Sequence, residues 1–288
     1  MRTIGTVAAL GAVLLSGCAQ PGPVVGPPEQ SAVDEQLVPD GYDGRYRTVG
    51  GVLESPEHGP QLCYYHADSY PPQCDGPDIA GWDWSALEGE SVSGTTWGSY
   101  RITGTWDGTT FTLTEPAVAD TGSSYPTEEY DFSAPCPEPA GGWPPFPADL
   151  AADPPAYEAA LAAVAELPAL GGTWVDQGGT ADDPTPLPGR YVLVVRTTGD
   201  VPSMETAARE FWPGALCVVG GARYTEVERR AIEDELRSAP GALGAAVDVV
   251  DDDVTLTVYV AAVERQRDLD ERYGVGVVRQ LGVLEPLV

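Results

Sequence analysis

The stretch YRITGTWDGTTFTLTE, residues 100–115, decides the fold of the first half of the chain. Aromatic and aliphatic residues alternate with polar ones on both sides of Asp107-Gly108. A period of two is typical of a β-strand with one buried face, and Asp-Gly supplies the positive φ angles that a tight primed turn requires. The stretch therefore predicts a β-hairpin.

Two neighbouring stretches also have the composition of β-strands. They are YRTVGGVLES, residues 46–55, and SVSGTTW, residues 91–97. We therefore expect a β-rich domain over residues 45–133, folded as a small barrel or sandwich, and the pattern resembles an OB-type barrel.

Four tryptophans fall within this predicted domain. Most of them are expected in its core, because a buried Trp removes up to about 250 Å² from water. One exposed Trp beside Tyr100 is a candidate for stacking on a sugar ring. The four are Trp82, Trp84, Trp97 and Trp106.

From residue 190 onward, strand patterns alternate with helix patterns. RYVLVVRTT, residues 190–198, is typical of a buried strand, and TEVE, residues 225–228, has the form of a capping box at a helix start. The predicted order is β-α-β-α-β-β-α-β, which favours a two-layer α+β sandwich over residues 190–288.

Residues 134–189 are rich in Pro and Gly and separate the two predicted domains. We expect them to form a connector with one helix at about residues 155–167, where Pro precedes a run of Ala, Glu and Leu. The predicted fold class is therefore α+β, with a β-rich domain followed by an α+β sandwich.

The first 18 residues, MRTIGTVAALGAVLLSGC, have the form of a secretory signal peptide, because Arg2 precedes an apolar run over residues 4–15. That run is shorter than the roughly 20 residues that span a bilayer. Its ending LSGC resembles the lipobox of bacterial lipoproteins. The resemblance implies removal of residues 1–17, a diacylglycerol on Cys18, and an acyl chain such as palmitate on the new amino terminus.

Residues 18–44 are rich in Pro and acidic residues and predict a disordered tether. With the lipobox, HGPQLC at 58–63 and GWDW at 81–84, this organisation is similar to uncharacterised envelope lipoproteins of high-GC Gram-positive bacteria. The resemblance implies a protein held at the extracytoplasmic face of the cell membrane by acyl chains on Cys18. It implies no particular activity.

The net charge is −29 over 288 residues, and the sequence contains neither Lys nor Asn. Such a chain repels nucleic acid and anionic lipid headgroups, so no nucleic acid partner is expected and the acyl chains must provide the anchoring. The absence of Lys excludes Schiff-base, pyridoxal-phosphate and phosphate-loop chemistry. No cofactor is expected.

Residues 58–74 contain both histidines and two of the five cysteines, with the spacing H-x4-C-x2-H-x7-C. His58, Cys63, His66 and Cys74 are residue types that bind Zn²⁺, so a zinc knuckle is one interpretation. A disulfide is the other interpretation. Export to an oxidising compartment favours the disulfide.

Four cysteines remain once Cys18 is assigned to lipid. The short intervening loop favours a bond between Cys63 and Cys74, which leaves Cys136 to pair with Cys217. The second bond would tie the connector to a strand of the α+β domain.

The loop that holds His58 and His66 is also a candidate catalytic site, because these are the only histidines of the chain. An envelope hydrolase or a metal-assisted enzyme is therefore the alternative function. The carboxylates around them belong to Glu54, Glu57, Asp68, Asp75 and Asp78.

The triplet Asp251-Asp252-Asp253 contains ligand types for Ca²⁺, but a calcium site requires oxygen ligands that converge on one centre. Adjacent residues at a hairpin tip point in alternating directions. We therefore expect a solvated turn and no metal site.

The sequence identifies no catalytic motif. The predicted function is a non-catalytic binding or scaffolding module of the cell envelope, with an envelope protein or a wall polymer as its partner.

Overall fold

The computed structural model describes residues 37–64, 69–120, 131–178 and 190–287, and their fold is α+β, as predicted. The strands are β1 Arg45–Ser55, β2 His58–Cys63, β3 Asp78–Ala80, β4 Glu90–Val92, β5 Thr95–Trp106, β6 Thr110–Leu113, β7 Val118–Ala119, β8 Leu170–Asp176, β9 Val192–Thr197, β10 Ala215–Val219, β11 Ala242–Asp248, β12 Asp253–Val258, β13 Val278–Gly282 and β14 Glu285–Leu287. The α-helices are α1 Ala148–Ala152, α2 Pro154–Ala165, α3 Val201–Arg209, α4 Glu226–Arg237 and α5 Val263–Tyr273.

Five strands of the first part close into a ring. β1 pairs with β2, β2 with β3, β6 with β5, and β5 with β1, all antiparallel, while β3 and β6 are parallel. The pairing of β2 with β3 consists of a single residue pair, Gln61 opposite Asp78, so the ring is partly open there. The strands therefore form a barrel rather than a sandwich, and its five strands and partial opening fit the expected OB-type barrel.

The predicted hairpin is formed by β5 and β6, but its turn differs from the expected two-residue turn. Residues 107–109 connect the strands, and among them Gly108 alone has a positive φ, of 101°. The Asp107 carboxylate accounts for the longer loop, because it accepts the backbone N–H groups of Thr109 and Thr110 at 2.9 and 2.8 Å.

The second half contains two units with the same order of elements. The first unit is α2-β8-β9-α3-β10, and the second is α4-β11-β12-α5-β13. In each, the middle strand is antiparallel to the strand before it and parallel to the strand after it. The expectation of one sandwich over residues 190–288 is corrected by this arrangement, because the strands form two three-stranded sheets.

The expectation of a connector with one helix over residues 134–189 is also corrected. The described part of this segment contains α1, α2 and β8, and β8 completes the sheet of the first unit. Gly171-Gly172 weakens the strand pattern of β8 in the sequence, since glycine contributes no side chain to the alternation. The strand forms because Leu170, Trp174 and Asp176 are buried.

Residues from both ends of the described chain complete the barrel. β14 pairs with the start of β1, where Leu287 lies opposite Arg45. The side chains of Val38 and Leu284 belong to the apolar core of the barrel. The predicted boundary at residue 133 therefore separates segments of sequence that share this core.

We expect Leu284→Ala to lower the free energy of unfolding by about 2–4 kcal/mol, because the substitution leaves a cavity where Leu284 is 1% exposed. Denaturant unfolding followed by tryptophan fluorescence measures this loss. Val275→Ala is the control, because Val275 is 77% exposed and its truncation should change the stability little. Equal effects of the two substitutions would show that the C-terminal segment does not support the barrel.

Candidate functional site

Two disulfides are present, and they are the two predicted pairs. Cys63 is bonded to Cys74, and Cys136 is bonded to Cys217, each with a Cα–Cα distance of 5.7 Å. The zinc-knuckle interpretation fails for Cys63 and Cys74, since their sulfurs are bonded to each other. The described residues also contain no group of side chains that could hold a metal ion.

The first disulfide holds residues 69–74 against the outer face of the barrel. Cys63 lies opposite Gly51 in the β1–β2 register. Farther along the sheet, the ring of Tyr70 packs edge-on against Trp97, with 5.8 Å between the ring centroids. The Tyr70 hydroxyl donates a hydrogen bond of 2.6 Å to Glu90 of the edge strand β4.

Between this loop and the barrel lies a groove of about 380 Å³, which we name the loop groove. Leu53 forms part of its floor and points away from the barrel core, because neighbouring side chains of a strand point to opposite faces and Val52 lies in that core. Although it is outside the core, Leu53 is 1% exposed. The groove is lined by Leu53, Ser55, Pro56, Glu57, His58, Pro71, Pro72, Gln73, Cys74 and Thr95.

The charge around the loop groove is negative. Glu57 on its rim is exposed, and the nearby Glu90 accepts a neutral hydroxyl rather than a cation. The three arginines of this part of the chain are engaged with carboxylates elsewhere. Their ion pairs are Arg45 with Glu115, Arg47 with Glu285, and Arg101 with Asp120.

The structure places one of the two predicted catalytic histidines in the loop groove. His58 and Glu57 both line it, whereas His66 lies outside the described residues. His58 Nδ1 lies 2.8 Å from the carbonyl oxygen of Gly59, and since a carbonyl oxygen only accepts, Nδ1 is the donor of this hydrogen bond. The groove therefore contains one imidazole and one carboxylate within the described chain.

The other predicted carboxylates do not converge on His58. Glu54 accepts the indole N–H of Trp84 at 2.6 Å, and Asp78 accepts Gln61 at 3.3 Å. Asp75 is exposed. Asp68 lies outside the described residues.

The tryptophan prediction is correct for most of the set but wrong about the functional one. Trp82 and Trp84 are half-buried and pack edge-on against the buried Tyr100 at the barrel core, so neither is the exposed Trp expected beside it. Trp106 packs against Tyr259. Trp97 instead lies on the outer face beneath Tyr70, a position that only the disulfide loop creates.

The solvated-turn prediction is wrong for two of the three aspartates at residues 251–253. Asp251 is exposed, but Asp252 forms an ion pair of 2.9 Å with Arg229, which is 1% exposed. Arg196 of the first unit lies 3.8 Å from the same carboxylate. Asp252 thereby links the two units of the second half, which the sequence pattern does not reveal.

Asp253 lies in the adjoining ion-pair cluster. Its carboxylate is 2.6 Å from Nε of Arg279. Nη2 of the same arginine lies 3.2 Å from Asp248 and 4.0 Å from Asp251. Burial raises the pKa of Asp253 to about 7, because its effect and the repulsion from Asp248 and Asp251 outweigh the attraction of Arg279.

The raised pKa of Asp253 predicts the sign of a pH effect on stability. The pKa of Asp253 is near 3.8 in the unfolded chain and about 7 in the folded chain. Between these two pH values, the folded chain holds a proton on Asp253 that the unfolded chain has released. The stability that this group contributes is therefore complete at low pH and is lost as the pH rises through this window. Asp253→Asn should remove that component, which is about 1 kcal/mol per pH unit near its steepest.

Urea unfolding of the parent and the Asp253→Asn variant at pH 5 and pH 7 measures the effect. The variant should gain stability relative to the parent on going from pH 5 to pH 7. Asp268→Asn, an exposed position, is the control and should follow the parent. A constant difference between parent and Asp253→Asn at both pH values would contradict the assignment.

The two disulfides predict separate losses of stability. In the chain-entropy model, the bond across 11 residues contributes about 3 kcal/mol and the bond across 81 residues about 4.5 kcal/mol. Replacing both cysteines of one bond by Ser should lower the free energy of unfolding, and the loss should be smaller for Cys63–Cys74 than for Cys136–Cys217. Non-reducing peptide mapping should yield both linked peptides. Alkylatable thiols at Cys63 and Cys74, with stoichiometric zinc, would reverse the assignment.

The predicted lipidation site is not part of the described structure. Cys18, the signal peptide and most of the predicted tether lie outside the described residues. Among the helices that the structure describes, none is both long enough and apolar enough to cross a membrane.

Comparison with known proteins assigns no family to the chain. No protein-family model matches it, and no curated protein matches it at a significant level. The interpretation of the loop groove therefore depends on its own geometry and charge.

Proposed function

We propose that the chain is a lipid-anchored binding or scaffolding module on the extracytoplasmic face of the cell membrane. In this proposal, acyl chains on Cys18 hold it in the membrane, residues 18–44 form the tether, and the envelope lipoproteins of high-GC Gram-positive bacteria are its relatives. The loop groove is the observation that carries the binding role. It is a concave surface, fixed by a disulfide and flanked by an exposed aromatic ring.

The two disulfides support an extracytoplasmic location, because structural disulfides persist in oxidising compartments. The acidic composition supports anchoring by lipid rather than by charge, since a net charge of −29 repels anionic headgroups.

We further propose that the two domains have different roles. The barrel over residues 45–133 presents the loop groove, and residues 190–288 with β8 support the barrel. The proposed tether would enter the described structure at Val38, whose backbone N–H donates to Ala261 and whose carbonyl accepts from Val263. The membrane side of the molecule would then be the junction of the barrel with α5, and the groove would be free to meet the envelope.

The anchor predicts a change in partitioning. Cys18→Ser should move the protein from the detergent phase to the aqueous phase in a detergent-partition assay, or should block its maturation. The parent protein, expressed in the same host, is the reference. If both proteins remain in the detergent phase to the same extent, the lipid anchor is excluded.

The binding role is tested by affinity capture from isolated envelopes, with the chain from residue 19 onward as bait. The parent should retain an envelope protein or a wall polymer that Tyr70→Ala fails to retain. Phe211→Ala is the matched control, because Phe211 is an exposed aromatic residue outside the barrel. Identical capture by all three baits, or capture by none, would refute binding through the groove.

A hydrolytic function is the second candidate, because His58 and Glu57 line the same groove and His58 Nε2 is the nitrogen that can accept a proton. Release of soluble products from isolated envelopes measures this activity. It should disappear in His58→Ala and persist in Phe211→Ala if the enzyme alternative holds.

A further inference from the structure

The rim of the loop groove presents the carboxylate of Glu57, which no arginine of the described barrel neutralises. Glu57 is exposed on the β1–β2 turn, where its backbone N–H donates to Ser55 and fixes the turn. The arginines of the barrel pair with acidic residues elsewhere on its surface. An anionic ligand would therefore meet repulsion here, whereas a cationic ligand would meet uncompensated negative charge.

Three prolines stand among the polar residues that line the loop groove. Pro56 lies on one side, Pro71 and Pro72 lie on the other, and the buried Leu53 lies at the floor. Tyr70 directly precedes Pro71, and 71% of its surface is exposed although its hydroxyl is held by Glu90. Proline rings offer apolar contacts to the methylene stem of a long side chain, and the exposed ring of Tyr70, next to the groove in sequence, can attract a cationic head group.

The size of the groove limits its ligand. A volume of about 380 Å³ is at the small end of ligand pockets and corresponds to one or two large side chains rather than a whole cofactor. A peptide that its own prolines hold in an extended conformation loses little conformational entropy on binding, which favours such a segment as the ligand of a small groove.

We propose that the loop groove binds an extended, basic segment of a partner protein, with the stem of an Arg or Lys side chain between the prolines and its charge at Glu57. The inference rests on the proposed binding function and names the ligand class of the same site. Charge complementarity favours this partner over a neutral wall polymer, which could donate hydrogen bonds to the rim carboxylate but would gain no attraction between opposite charges.

The test uses a fluorescein-labelled nonapeptide of three Pro-Arg-Pro repeats and the same peptide with citrulline, a neutral isostere, in place of Arg. Fluorescence anisotropy is measured with the chain from residue 19 onward. We expect the Arg peptide to bind at least tenfold more tightly than the citrulline peptide. Glu57→Gln and Tyr70→Ala should each weaken binding of the Arg peptide by about tenfold.

Matched controls separate the groove from the general acidity of the chain. Glu158→Gln makes the same charge change on the exposed face of α2, and Phe211→Ala removes another exposed aromatic ring. Both controls should bind the Arg peptide as the parent does. Equal weakening by Glu57→Gln and Glu158→Gln would show that the peptide binds by non-specific charge attraction, which would overturn the proposal.

The outcomes also distinguish this inference from the proposed function. If envelope capture depends on Tyr70 but is not competed by the Arg peptide, the binding function stands and the basic ligand is wrong. Binding of a neutral N-acetylglucosamine oligomer that Tyr70→Ala abolishes would assign the groove to glycans instead. If the parent captures no envelope component and binds no peptide, both proposals fail.

Discussion

The structure depends on the closure of a small barrel by residues that are distant in sequence. A barrel of this size buries too little apolar surface to be stable by a wide margin, so each further core residue adds a significant part of its stability. Val38 and Leu284 supply such residues, and β14 covers the free edge at the start of β1. Since residue 283 alone separates Leu284 from β13, this closure also couples the second unit to the barrel. The loop groove stays clear of it, because Leu53 lies eight residues along β1 from Arg45, about 26 Å away.

Local features of this fold could be predicted from the sequence, whereas distant pairings could not. The β5–β6 hairpin was predictable because alternation and Asp-Gly act within sixteen residues. The pairing of β14 with β1 joins residues 45 and 287, and three residues carry too short a pattern to reveal it. β8 was missed for a related reason, since its two glycines hide a strand that forms only when β9 lies beside it.

The candidate site also has a part that the sequence predicts and a part that depends on distant contacts. Both disulfides could be predicted from the even number of cysteines left after Cys18, the short loop between Cys63 and Cys74, and the export that the lipobox resemblance implies. The loop groove requires Pro71 and Pro72 to lie across from Leu53, which depends on how the bonded loop folds back onto the barrel. The aspartate turn was misjudged because the exposure of Asp252 is set by Arg196 and Arg229, which come from a different strand and a helix.

The scarcity of basic residues connects the stability of this fold to the character of its surface. The chain has 15 arginines for 44 acidic residues, and a buried carboxylate without a partner is costly. Within the described residues, the buried aspartates Asp176, Asp248 and Asp253 are each paired with an arginine, from Arg190 or Arg279. The three arginines of the barrel are engaged with carboxylates away from the loop groove. The negative rim of the groove thus follows from the excess of carboxylates over arginines, and it supports the basic ligand that we propose.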